Sequence, residues 1–194
     1  MSKKVSRISC WILILLTVAG CGSTKSKTNK FVQFDNDLKE YIQSGTSEWV
    51  KANGIISCNV GEGYIYTKDE YKNFHLKAEF LADETVNSGI FFGCEGDEMG
   101  ARTCFEANIW DNHPNQDWRT GSLVTRQSPL KKVETIGKWS SYEIKSENGK
   151  IQIWIDSILT VDYRVSEVKM GPIIFQKFGE GKIQFRNIRI HQID

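Results

Sequence analysis

No apolar run in this chain is long enough to cross a bilayer core of roughly 30 Å; the only sustained one lies between Arg7 and Gly20. There is no Cys-x-x-Cys pair and there are only three histidines, so no zinc-type ligand spacing is present. Charge is balanced, 25 basic residues against 24 acidic, which gives no support to nucleic-acid binding. Sustained helical periodicity is missing after residue 30, and the remaining length suits one domain with a single sizeable core.

What is present begins with an export segment. Lys3, Lys4 and Arg7 precede the short apolar run, and no acid occurs before Cys21, the pattern of a secretory signal over residues 1–20. Val18-Ala19-Gly20-Cys21 resembles the bacterial lipobox, in which small residues precede a cysteine that becomes lipidated. Cys21 is therefore the expected lipid anchor, since each buried acyl CH₂ contributes about 0.8 kcal/mol to membrane attachment. Removing Lys3, Lys4 and Arg7 leaves 22 basic against 24 acidic residues, a net charge of −2. Residues 22–30 carry no large apolar side chain and read as a solvated tether, with the folded domain over residues 31–194. The expected location is the cell envelope; Gly22 in place of an inner-membrane-retaining Asp favours the outer membrane in a cell that has two.

Alternation with period two recurs through the rest of the chain. Phe74, Leu76, Ala78 and Phe80 fall on one face of residues 72–83, with His75, Lys77 and Glu79 on the other. Ile151, Ile153 and Ile155 repeat the pattern, and Asn148-Gly149 before them is a two-residue hairpin signal. Further strands are expected at 54–60, 63–68, 88–94, 103–110, 121–126, 158–164, 171–176 and 182–191, with a helix only over 34–43. Ile183 and Phe185 differ in parity from Ile188 and Ile190, so a bulge is expected near Arg186-Asn187. The class is an all-β sandwich or barrel. Past the anchor stand Cys58, Cys94 and Cys104; three buried free thiols are the expected state, with a Cys94–Cys104 bridge as the alternative.

The segment 103–126 carries the candidate chemistry. Phe105, Ala107 and Ile109 point one way, while Glu106, Asn108 and Trp110 share the other face. Asp111, Asn112 and His113 follow in the loop at its end. A carboxylate, an amide and an indole on one surface are what a pyranose needs: an aromatic face to lie on and fixed partners for its hydroxyls. Gln176 has the opposite parity to Ile173 and Phe175 and is placed on that surface, as is Arg126. The plainer reading is a solvated Glu106 and a Trp110 that caps the core edge.

Several motifs occur in a characteristic order: Asn87-Ser88-Gly89-Ile90-Phe91-Phe92, Phe105-Glu106, Trp110-Asp111-Asn112, Thr120-Gly121, Trp139-Ser140-Ser141-Tyr142-Glu143-Ile144, Gly171-Pro172-Ile173-Ile174-Phe175-Gln176 and Phe185-Arg186-Asn187-Ile188. With Phe34-Asp35-Asn36-Asp37-Leu38, Trp49, Gly54 and Tyr71-Lys72-Asn73-Phe74 ahead of them, the chain resembles the 3-keto-disaccharide hydrolase domain family over nearly all of 31–191. The resemblance implies a concanavalin A-like jelly-roll sandwich of two antiparallel sheets with a sugar-binding concave face. It further implies cleavage of glycosides whose 3-hydroxyl has been oxidised to a ketone by partner enzymes of the envelope. A C3 ketone acidifies the C2 proton, so a base removes it, the C1 oxygen leaves and water adds to the glycal. In that scheme Glu106 or His113 is the base, Asp111 orients or donates a proton, and Arg126 or a divalent metal stabilises the enolate. Asn87, Asn108, Trp110 and Gln176 hold the sugar.

Two departures from the family pattern stand out: Gly93 where an arginine is common, and Asp156-Ser157 in place of an Asn-Gly turn. The competing reading is a carbohydrate-binding surface lipoprotein without catalysis.

Overall fold

A computed structural model of the chain describes residues 31–33, 37–95 and 99–194. The export segment, Cys21 and the tether lie outside the described residues, as do Phe34, Asp35 and Asn36. Thirteen strands appear among the described residues: β1 (Val32–Gln33), β2 (Tyr41–Gly45), β3 (Trp49–Ala52), β4 (Ile55–Cys58), β5 (Gly63–Tyr71), β6 (Phe74–Ala82) and β7 (Val86–Phe92), then β8 (Phe105–Ile109), β9 (Ser140–Glu147), β10 (Lys150–Ile155), β11 (Ile158–Arg164), β12 (Gly171–Gly179) and β13 (Ile183–Gln192). They form two antiparallel sheets, one ordered β11-β10-β9-β6-β13-β4-β3 with β1 added beside β13, the other β2-β5-β12-β7-β8.

The period-two pattern explains the packing. Phe74, Leu76, Ala78 and Phe80 of β6 are buried against Ile90 and Phe92 of β7 and Phe175 of β12, in one continuous core. Asn148 and Gly149 both have positive φ, the backbone a two-residue hairpin turn requires between β9 and β10. The expected bulge is also present: the β13–β6 register shifts between Arg186 and Arg189, and Asn187 sits at φ 53°. One inserted residue thus lets Ile183, Phe185, Ile188 and Ile190 all face inward.

Three expectations need correction. Of the helix expected over 34–43, the described residues 37–43 show a single 3-10 turn at Leu38–Glu40, followed by strand β2. Ladder pairing of Tyr41 with Thr67 and of Gln43 with Ile65 outweighs so short a helical pattern. Residues 121–126 run beside β8 through an isolated Ala107–Leu123 bridge and are not a full strand, because Thr125 turns the chain at φ 65°.

The three cysteines past the anchor are not all free: Cys94 and Cys104 are bonded, and among the described residues only Cys58 remains a buried thiol. Phe92 pairs with Phe105 at the end of the β7–β8 ladder, and Glu95 N–H donates to Thr103 O at 2.8 Å just beyond it. The two cysteines therefore meet across an extension of that ladder, at a Cα–Cα distance of 4.0 Å. Closing a loop of this length removes chain entropy worth about 3 kcal/mol. The Cys94→Ser/Cys104→Ser double variant is expected to lose that amount in urea unfolding and to become insensitive to added thiol.

Candidate functional site

The outward face of the five-stranded sheet carries the site, and strand register lays it out in rows. Gln176 on β12 stands opposite Tyr64 on one side and Gly89 on the other, and Gly89 stands opposite Asn108 of β8. The adjacent row runs Tyr66, Ile174, Phe91 and Glu106. Asn87 and Phe91 flank Gly89 along β7, so Gly89 leaves a notch among side chains on every side. A Cβ placed there would lie 3.3 Å from Ala107 O, 3.4 Å from the Phe91 ring and 3.5 Å from Glu106 Cγ, so the notch is about the width of one methyl group. Glu106, Asn108 and Gln176, expected to face one surface, and Asn87, which the family resemblance implies holds the sugar, stand around this single glycine.

The notch is apolar at one end and polar at the other. Phe91 and Ile174 pack with Cys104, and Tyr64, Tyr66, Cys94 and Met99 close over them. Glu106 beside this cluster is only 9% exposed, and burial pushes its carboxyl up to about 7 against a weaker opposing pull from Arg126. Gln176 is 7% exposed, and its Oε1 is buried with no hydrogen-bond donor. A buried acceptor without a donor is costly, and a sugar hydroxyl would supply the missing bond.

Other expected residues are placed differently. The Asn108 side chain is spent on backbone: its amide donates to Trp118 O, and Oδ1 accepts from Ile109 N–H at 3.0 Å. It shapes the rim by holding the 116–120 loop. Asp111 accepts from Thr135 N–H at 2.6 Å, Thr135 Oγ1 at 3.0 Å and Ile136 N–H at 3.2 Å, with Arg119 3.6 Å away. Its carboxylate ties two loops together beneath the rim.

His113 packs edge-on to Trp110 with ring centroids 4.6 Å apart, and its Nδ1 meets the backbone of Asn115. This pair forms the lip of the notch beyond Asn108. Arg126 turns the other way: its guanidinium lies 4.4 Å from the ring centroid of inward-facing Phe105 and donates to Ala101 O at 2.8 Å. It lines a separate cavity of about 260 Å³ with Glu95, Arg102, Glu167 and Lys169 at the end of the sandwich. Among the described residues, no three His, Cys, Asp or Glu side chains are placed to hold a metal ion.

Two residues on this face escaped the sequence reading, Tyr64 and Tyr66. The signal was there, because both alternate with buried Ile65 and Thr67. Only the sheet order, which sets β5 beside β12, reveals that they face Gln176 and Ile174.

The two-sheet jelly roll is that of glycosyl hydrolase-like and carbohydrate-binding domains. Within that class, the chain belongs to the 3-keto-alpha-glucoside-1,2-lyase-like domain family, whose profile matches residues 31–191. Two solved proteins of Parabacteroides distasonis ATCC 8503, both provisionally described as glycosyl hydrolases, share the fold. One is 22% identical with a TM-score of 0.75, covering 85% of this chain and 100% of its own. The other is 18% identical with a TM-score of 0.71, covering 81% and 91%. A carbohydrate-binding module, CBM66 of Bacillus subtilis, is similar at a TM-score of 0.60 and 13% identity, covering 79% of this chain and 96% of the module. No curated protein matches the sequence.

Proposed function

We propose that this protein is an envelope lipoprotein, anchored through Cys21, that cleaves 3-keto-glycosides by elimination at the Gly89 notch. The observation that carries the reading is Glu106: a buried carboxyl that titrates near neutrality on the same sheet face as Gln176 and Asn87. Glu106 takes the C2 proton, which the C3 ketone has acidified. The electron pair forms the C1–C2 double bond, the C1–O bond breaks, and water then adds to the resulting glycal. Gln176 Oε1 accepts from a sugar hydroxyl, Asn87 borders the ring, and the Trp110–His113 lip bounds the substrate. The ketone is made beforehand by an enzyme that oxidises the sugar 3-hydroxyl, which an envelope location would bring within reach.

Incubating the mature protein with a 3-keto-glucoside and with the unoxidised glucoside tests the reading. Product is expected from the first alone. Saturable binding of either sugar without product would make the domain a carbohydrate-binding module instead.

A further inference from the structure

Removing the C2 proton solves half of the elimination. An alkyl glycoside also releases an alkoxide, which needs a proton as the C1–O bond breaks. Across the notch from Glu106 lies Gln176, and opposite Gln176 on the neighbouring strand lies Tyr64. Buried Ile65 beside it turns the Tyr64 side chain outward. The ring is held between Phe91 and Phe178, with centroids 5.9 Å and 5.4 Å away. The phenol is hydrogen-bonded to the Gln176 side chain, and its own hydroxyl donates only a long 3.4 Å bond to Met99 O. A weakly committed proton thus sits on the wall that faces the base.

We infer that Tyr64 is the catalytic acid that protonates the leaving-group oxygen, with Gln176 as its positioning residue. This rests on the reading of Glu106 as the base. The step balances: Glu106 gains the C2 proton, Tyr64 O–H gives its proton to the departing oxygen, and phenolate remains. Hydration reverses both transfers, since water gives a proton to the phenolate as its hydroxide adds at C1, and Glu106 returns its proton to C2. Burial pushes the phenol up, partly opposed by the Gln176 hydrogen bond, so it stays protonated where Glu106 is already ionised.

The test compares methyl 3-keto-glucoside, whose leaving group requires protonation, with 4-nitrophenyl 3-keto-glucoside, whose leaving group does not. Tyr64→Phe is expected to lower kcat on the methyl substrate by about 10²-fold or more and to change the nitrophenyl substrate little. Gln176→Met, which removes the amide at similar size, should raise KM on both substrates because Gln176 also binds the sugar, but lower kcat on the methyl substrate alone, and it serves if Tyr64→Phe folds poorly. Equal losses on both substrates, or none on either, would overturn the assignment while leaving the base reading intact. If the unsubstituted protein turns over neither substrate, the base reading falls and this inference falls with it.

Discussion

Replacing Glu106 with glutamine is expected to lower turnover of a 3-keto-glucoside by about 10²–10⁴-fold, because glutamine keeps the size but cannot accept the C2 proton. In the unsubstituted protein the rate should rise with pH through about 7, where the carboxyl ionises. The same substitution has an opposite effect on stability, and the sign follows from linkage. The folded carboxyl titrates near 7 against an ordinary 4.5, so folding favours its protonated form. Its contribution is intact below about pH 4.5 and is lost as pH rises through 7. Glu106→Gln should therefore match the parent protein at pH 4 and exceed it by about 1–3 kcal/mol at pH 8.5, read from urea unfolding at both pH values. Unchanged turnover in the glutamine variant would remove Glu106 from the base role.

Asp111→Ala is expected to destabilise the fold by about 3–5 kcal/mol, the scale for breaking a buried charged network by deleting one partner. Three donors from Thr135 and Ile136 lose their acceptor, and Arg119, 2% exposed, keeps only the outlying Glu134 and the Val133 carbonyl. Asp111→Asn keeps one acceptor oxygen and should lose about 1–2 kcal/mol. Thermal or urea unfolding measures both. Activity in folded Asp111→Asn separates the two roles of this residue: retention marks a clamp of the rim, whereas loss at normal stability restores Asp111 to the proton-handling group.

The strands were legible because apolar period two survives in almost every ladder, as in Phe74, Leu76, Ala78 and Phe80. Parity alone put Glu106 and Gln176 on the face opposite the core. Less local features were hidden. The helix expected over 34–43 gives way at its C-terminal end because Tyr41, Ile42 and Gln43 are claimed by β5, distant in sequence. The Cys94–Cys104 bond depends on how far the β7–β8 ladder extends, which spacing does not reveal. Arg126 follows β8 closely in sequence, yet a left-handed turn at Thr125 sends it to Phe105 and away from Gly89.

By itself, the sequence determined the β class, the faces of the strands, the Asn148-Gly149 turn and the β13 bulge, since each depends on residues within a few positions of one another. Tertiary structure decided which strands are neighbours, and so which side chains share a row. Burial of Glu106, the unanswered Gln176 oxygen and the placing of Tyr64 across the notch arise only when β5, β12, β7 and β8 lie side by side. Desolvation and hydrogen bonding depend on neighbours in space, and a linear pattern carries only neighbours along the chain.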